Sequence, residues 1–341
     1  MDKSVLASTP PGAPGRFLTA TPRLARRQWL QIALAASGGV LSGEIASLAG
    51  AWDHRRATLA SPPGVKGPVA LGGPRLFHVG HCCHLIELGG QRWLTDPWFF
   101  NPAFGSLTHT SGIGVDAIGP LDGIFISHRH PDHFDPSALR RLDRQARVWT
   151  PDPSLIEPLR ELGFQRVSLS VPWQSEVVGA LTVSFVPAVH DVPQHSLMLV
   201  GPDARVLFCG DTGAHDHWGE VRRRYRPSTA LLPCDGTALR WEPRQIMNPE
   251  EAARAALELG CRQVLQTHAD ATYTDPIARY LLSSSEPEPL ERLSRALERA
   301  GELAAPASES AAPALAPAVP SFSPLAIGET RALVPANSDT I

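Results

Sequence analysis

Short apolar runs cut by Gly, Pro and Asp fill the middle of this chain, and their spacing predicts strands before helices. Residues 75–88 read as a strand, Gly89-Gly90 as a hairpin turn and 91–95 as its partner, with Asp96 where the second strand stops. Gly123-Ile-Phe-Ile-Ser127 has the look of a buried strand that ends abruptly in polar residues. Asp135-Pro136 predicts a helix to about residue 146, because Asp caps a helix start and Pro suits its first turn. Asp152-Pro153 repeats that signal, and Gly163 closes the helix. Strands are expected at 165–170, 174–187, 195–200 and 205–210, the last two joined by the turn Gly201-Pro-Asp-Ala204. Asn248-Pro249-Glu250-Glu251 opens a helix that Gly260 ends; 262–266 is a strand carrying Thr267-His268 at its end. Helices at about 275–283 and 287–300 complete the pattern. Strands early and helices interleaved later argue for a sheet-rich α/β sandwich over a Rossmann sheet.

The two ends follow other rules. Arg26-Arg27, then Gln28-Trp29-Leu30 and an Ala/Gly/Leu/Ile stretch broken only by Glu44, resembles a twin-arginine export signal, with Ala49-Gly50-Ala51 as its small-residue cleavage pattern. The charge-free run 28–43 is shorter than the ~18–20 residues a membrane span needs. The alternative is an amphipathic helix packed on the domain. The export reading makes 1–51 a signal segment, 52–74 a linker and 75–300 the catalytic domain, working in the periplasm or cell envelope with the export machinery as a partner. Without export the protein is cytoplasmic. Residues 301–341, rich in Ala, Pro and Ser, read as a disordered tail.

Composition removes several function classes. The 31 basic and 34 acidic residues leave a charge of −3, without the basic footprint of a dedicated nucleic-acid binder. Five cysteines with no C-x-x-C indicate neither a disulfide framework nor a thiolate zinc site. The chemistry therefore falls to histidine. Ser127-His128-Arg129-His130-Pro131-Asp132-His133 packs three imidazoles and a carboxylate into six residues. In extended chain His128 and His130 point the same way and can reach one cation, while Pro131 turns Asp132 and His133 toward a neighbouring position. Metal ions need further ligands, and three strand ends offer them: His190 after 181–187, Asp211 after the Leu207-Phe208 strand, and His268 after 262–266.

With these residues in this order, the chain resembles the metallo-β-lactamase superfamily, whose H-x-H-x-D-H motif matches 128–133 in full. The resemblance covers about residues 76–270 and implies a four-layer αββα sandwich. It implies one ion held by His128, His130 and His190, and a second by Asp132, His133 and His268, with Asp211 bridging both. Within the superfamily, Gly80-His81, Leu94-Thr95-Asp96-Pro97, Phe208-Cys209-Gly210-Asp211-Thr212-Gly213 and Met247-Asn248-Pro249-Glu250-Glu251 are similar to the branch of N-acylphosphatidylethanolamine phospholipase D and ascorbate-6-phosphate lactonase. The last histidine departs from the family pattern: here it precedes Ala269-Asp270 rather than Trp-Gly.

The chemistry so implied is hydrolysis by a hydroxide shared between two divalent ions, Zn²⁺ first, with Mn²⁺ or Fe²⁺ as alternatives. Asp132 and Asp211 are the catalytic carboxylates of that reading, Asp132 also carrying the proton of the attacking water. Asp96 is expected to hydrogen-bond a ligating imidazole and fix its tautomer. His81 is read as a partner of the ligands or of substrate, or equally as a satisfied core histidine. A phosphodiester, including an N-acylphosphatidylethanolamine-like lipid, stands as substrate beside a carboxylic ester or a small sugar-acid lactone. Arg129, Arg240 and Arg244 are the cations available to a phosphodiesterase. Trp98-Phe99-Phe100, Phe104 and Trp241 are candidates for an apolar lip, Cys82 and Cys83 for the core, and His84, His195, His215 and His217 for loops or surface. The readings from other classes are a diiron redox protein and a non-enzymatic scaffold. Oligomeric state is not fixed by the sequence.

Overall fold

The computed structural model describes residues 72–104, 106–239, 243–304 and 319–336. The expected signal segment and linker lie outside the described residues, as do Arg240 and Trp241. In chain order the strands begin with β1 (Arg75–Gly80), β2 (Cys83–Leu88), β3 (Gln91–Thr95), β4 (Leu107–Thr108), β5 (Gly123–Phe125) and β6 (Arg147–Thr150). They continue with β7 (Arg166–Leu169), β8 (Ser175–Val178), β9 (Leu181–Pro187), β10 (His195–Val200), β11 (Arg205–Phe208) and β12 (Thr229–Pro233). The last are β13 (Ala238–Leu239), β14 (Gln263–Thr267), β15 (Thr272–Tyr273), β16 (Ser283–Ser284), β17 (Ser321–Phe322) and β18 (Thr330–Ala332). The helices are α1 (Pro136–Leu139), α2 (Ile156–Glu161), α3 (Trp218–Tyr225), α4 (Pro249–Leu259), α5 (Pro276–Leu282) and α6 (Pro289–Ala304).

Two mixed sheets result, in the orders β18-β1-β2-β3-β5-β6-β7 and β17-β14-β12-β11-β10-β9-β8. Side chains from both sheets, among them Ile86, Trp93, Phe125, Phe185, Leu199 and Phe208, fill the space between them. Alternate residues of the first sheet, such as Leu85, Leu94 and Ile124, point outward onto Leu139 and Leu159 of α1 and α2. On the far side, Leu207, Ala230 and Val264 of the second sheet meet Val221 of α3, the small face of α4, and Leu293 and Leu297 of α6. Three buried layers between four structural ones make an αββα sandwich. Where β3 and β5 pair in parallel, Trp93 lies opposite Gly123, and a Cβ there would stand 2.4 Å from the indole. Only glycine lets that ring cover its neighbour.

The helix signals held at their starts. Asn248 and Glu251 form a reciprocal cap on α4, and Gly260 ends it with φ 62°. Asp135 accepts from the amides of Ser137 and Ala138, yet α1 stops after one turn instead of reaching residue 146. Further on, the Asp143 carboxylate accepts from the Gln145 amide and closes a local turn where the helix was expected to continue. The apolar pattern did not single out β6, β12 or α3.

The tail reading is corrected over residues 319–336; 305–318 and 337–341 lie outside the described residues. Within 301–341, β17 pairs in parallel with β14, and β18 pairs antiparallel with β1, so each sheet gains an edge strand. Leu325 and Leu333 enter the core between the sheets. Gln266 exchanges two hydrogen bonds with the Leu325 backbone, at 2.7 and 2.9 Å. Of the prolines in this stretch, Pro320 precedes β17, Pro324 lies between the two strands and Pro335 follows β18, while Pro306, Pro313 and Pro317 lie outside the described residues. Among the described residues no helix is long and apolar enough to cross a membrane.

Candidate metal centre

The turn that follows β5 carries the first donors. Ser127 donates through its amide and its hydroxyl to Asp96, both at 2.7 Å, which ties the end of β3 to the start of the histidine-rich turn. The amides of His133 and Phe134 then close on the His130 carbonyl at 3.0 and 2.8 Å. This winds His128, His130, Asp132 and His133 around one point. Opposite them, the second sheet presents His190 after β9, Asp211 after β11 and His268 after β14. Gly210, at φ 60°, turns the chain so that Asp211 faces inward, and a Cβ there would crowd Ser127 at 3.0 Å. His81, Asp96 and His268 also hold positive φ, at 55°, 35° and 54°, a strained conformation for such residues and a frequent mark of functional sites.

Two groups of donor atoms emerge. In the first, His128 Nε2 and His190 Nε2 lie 3.0 and 3.3 Å from His130 Nδ1. A tetrahedral ion with nitrogen ligands at about 2.0–2.1 Å spaces them about 3.3 Å apart, so the three imidazoles fit one cation with little movement. In the second, Asp211 Oδ2 stands 3.1 Å from His133 Nε2 and 3.2 Å from His268 Nε2. Asp132 Oδ2 is 3.7 and 4.0 Å from the same two nitrogens. Asp211 Oδ2 also lies 3.9 Å from His128 Nε2, which places one carboxylate between the groups. Buried His133 Nε2 has no hydrogen-bond partner, the state expected of a metal-ligating atom. The donor set, imidazole and carboxylate, suits a divalent ion of the zinc type.

Outer partners orient these rings. Asp96 Oδ2 takes His133 Nδ1 at 2.8 Å, Ser127 Oγ meets His128 Nδ1 at 2.9 Å, and Asp235 Oδ2 meets His268 Nδ1 at 3.2 Å. Asp191 differs: its Oδ1 is 3.2 Å from His190 Nε2, the nitrogen that faces the other donors, and not from the far nitrogen. Burial would lower the His133 pKa, but Asp211, Asp132 and Asp96 outweigh it and hold it up at about 10. His268 rises against the same burial penalty because Asp211 and Asp235 face it. Asp132 and Asp211 fall well below the carboxylate range despite burial, chiefly through His133. His128 goes the other way: burial, with His133 close by, pushes it down.

The remaining expectations divide. His84 is buried rather than superficial, bonded at both ring nitrogens to His78 and Thr267 at 3.2 Å, because it points into the space beneath the centre. His78 in turn meets Asp270 Oδ2 at 2.5 Å, so the Ala269-Asp270 departure anchors the wall behind His268. His195 lies on β10 and bonds Ser170, and His215 stacks on Trp218 with centroids 3.8 Å apart. Cys82 and Cys83 are buried, and the Cys82 thiol lies 3.6 Å from Asp211 Oδ1. Trp98 and Phe99 are buried packing residues and form no lip; Phe104, 45% exposed, lines the cleft instead. Asp191 and Asp235 were missed. Asp235 lies two residues after β12, the strand the pattern did not reveal, and Asp191 is the residue after a named ligand.

Above the centre opens a cleft of about 560 Å³. His130, Asp132, Asp211 and His268 reach it from below, with Leu107, Ile246, Tyr273 and Tyr280 on its walls. Arg279 of α5 also lines it, exposed, and among the described residues no carboxylate pairs with its side chain. Arg129 and Arg244 are engaged elsewhere, with Asp152 at 3.4 Å and Glu251 at 2.6 Å.

Sandwich architecture and strand-end donors together define a metallo-β-lactamase fold. The model of the beta-lactamase superfamily domain matches residues 91–269, and the chain belongs to that family. It is 29% identical over 279 residues to an uncharacterized protein of Mycobacterium tuberculosis, covering 70% of this chain and 73% of the relative. It is 26% identical over 223 residues to a metal-dependent hydrolase of Caldivirga maquilingensis, covering 64% and 88%. Among solved structures it is similar in fold to an isothiocyanate hydrolase from Delia radicum gut bacteria, with TM-score 0.59, 17% identity and coverage of 76% and 99%. A metallo hydrolase from Ignicoccus hospitalis gives TM-score 0.55, 20% identity and coverage of 76% and 97%.

Proposed function

We propose that this metal-dependent hydrolase holds two divalent ions, zinc first, and cleaves an anionic ester, a phosphodiester with an apolar substituent, within the cleft. The observation that carries the two-ion reading is the place of Asp211 Oδ2, within 3.9 Å of His128 on one side and within 3.2 Å of His133 and His268 on the other. His128, His130 and His190 would hold one ion, and Asp132, His133 and His268 the other. When bound, such ions supply Lewis-acid polarisation of the scissile group and a water acidic enough to be deprotonated near neutral pH. The chain's own part is to position and to move protons. Asp132 Oδ1, buried and without a partner, accepts the proton of the attacking water and returns it to the leaving group. Asp96 and Asp235 keep His133 and His268 turned with Nε2 inward, so Asp132 works in a fixed frame. Arg279 offers the fork that an anionic group near the cleft mouth would use, and the aromatic wall excludes water from the substrate's apolar part.

The test is a hydrolysis screen of zinc-loaded protein on bis(p-nitrophenyl) phosphate, N-acylphosphatidylethanolamine and simple lactones, with His130→Ala as the blank. Phosphodiester turnover that the variant lacks supports the reading. Turnover of lactones alone replaces the substrate, and equal turnover by the variant removes the mechanism. We also propose export by the twin-arginine route, on the strength of Arg26-Arg27 and the run after it. A reporter fused to residues 1–60 that stays in the cytoplasm would refute it.

A further inference from the structure

We infer that His81 is a direct ligand of the second ion, joining Asp132, His133, His268 and Asp211; the inference rests on the two-ion reading above. His81 occupies the two-residue link between β1 and β2, with its side chain 1% exposed. Among the described residues, the other buried histidines outside the named ligand set satisfy both ring nitrogens. His78 bonds His84 and Asp270, His84 bonds His78 and Thr267, and His109 bonds the carbonyls of Thr110 and Trp98. His81 alone among them has neither Nδ1 nor Nε2 in a hydrogen bond. A buried polar group left in that state is costly unless something outside the protein completes it.

Its surroundings point to a cation. His81 Nε2 lies 3.3 Å from Asp132 Oδ2, in poor alignment for a hydrogen bond. The ring stands 4.3 Å from that of His268 and 5.3 Å from that of His133, centroid to centroid. One donor atom from each of His81, Asp132, His133 and His268 falls within a span of 4.8 Å. Ligands at about 2.0–2.2 Å from one ion lie at most about 4.4 Å apart, so a few tenths of an ångström close the set. The Trp98 edge packs against the ring at a centroid distance of 5.1 Å, and Thr267 Oγ1 donates to the His81 carbonyl at 3.3 Å. Residue 81 is also held at φ 55°, which keeps its ring turned into the centre against local preference. With Asp211 the second ion would have five protein donors, whereas the first is held by three imidazoles and a shared carboxylate.

The experiment uses His81→Gly, since glycine accepts this backbone and leaves a ring-sized cavity. Metal-free wild type and variant are titrated with Co²⁺, followed by visible absorption and by metal content. Wild type is expected to take two ions. The variant should bind the second about tenfold more weakly or worse, with the first unchanged. Added imidazole should restore the second ion, and pyrrole should not, because pyrrole matches its shape and N–H but has no lone pair for a metal. Unchanged binding in the variant, or equal rescue by pyrrole, overturns the inference and leaves the two-ion reading intact. A wild type that takes only one ion overturns both. X-ray absorption on unmutated protein gives a check free of any folding defect. Adding the second zinc should add three imidazoles (His81, His133 and His268); an increment of two refutes the ligand role.

Discussion

Three imidazoles, of His128, His130 and His190, make one half of the metal centre, whereas the other half sets His133 and His268 against the carboxylates of Asp132 and Asp211. The halves differ in access as well as in charge. His130, 25% exposed, opens the first half to the cleft, while Asp132, His133, Asp211 and His268 are all buried. Without a cation, carboxylates in the buried half hold protons on its imidazoles, raising His133 to about 10. The other half has the exposed Asp191 carboxylate, 3.2 Å from His190 Nε2, and only the far reach of Asp211, and burial keeps His128 neutral. A buried group of carboxylates can thus persist by trading metal for protons, while the imidazole half depends on its ion more simply.

The largest effect is expected where the halves join. Asp211→Asn should lower kcat/KM by about a thousandfold or more, because several kcal/mol of charge stabilisation are lost at once. Metal analysis should then show both ions weakened, whereas His130→Ala should weaken only the first; equal loss in the two variants would erase the distinction. Next comes the support of the buried half. Asp96 accepts from the Ser127 amide, the Ser127 hydroxyl and His133 Nδ1, and an amide can replace only part of that set. Asp96→Asn is expected to weaken the second ion about 10–100-fold in a competitive chelator titration, leaving the first near its original affinity. On the open side, Arg279→Ala should raise KM for an anionic substrate about tenfold with kcat little changed, worth about 1.4 kcal/mol of binding. A neutral lactone should not notice the change.

The smallest effect lies outside the centre and concerns pH. Burial lowers His195 to about 4. The folded state therefore keeps this ring neutral while the unfolded chain protonates it below about 6.5. Its contribution is complete above pH 6.5 and is lost as pH falls toward 4. Urea midpoints of metal-free protein should fall over that window, and His195→Gln should flatten part of the slope. An identical slope in the variant would assign the acid sensitivity to other groups.

Much of this centre could be read from strand ends. Residues 123–127, 205–210 and 262–266 announce buried strands, and a His or Asp at each end has little structural reason to be there. The motif at 128–133 supplied the rest, since period two and a proline turn are local properties. Asp235 and Asp191 escaped for different reasons. Asp235 follows β12, whose Thr-Ala-Leu-Leu-Pro run shows no alternation because both its faces are buried, and Asp191 had a named ligand beside it to absorb attention. His84 was misread because its burial depends on His78 and Thr267, the latter 183 residues away in sequence. The strands in 319–336 were illegible to composition: two short pairings to distant edges leave no periodic trace.

Those two pairings bear on how the molecule comes into being. Neither sheet has this outer neighbour until residues 319–336 have emerged from the ribosome, so the domain cannot finish folding before then. A chain stopped at Ala304 would carry bare edges on β1 and β14 and a groove where Leu325 and Leu333 belong, an invitation to strand-to-strand aggregation.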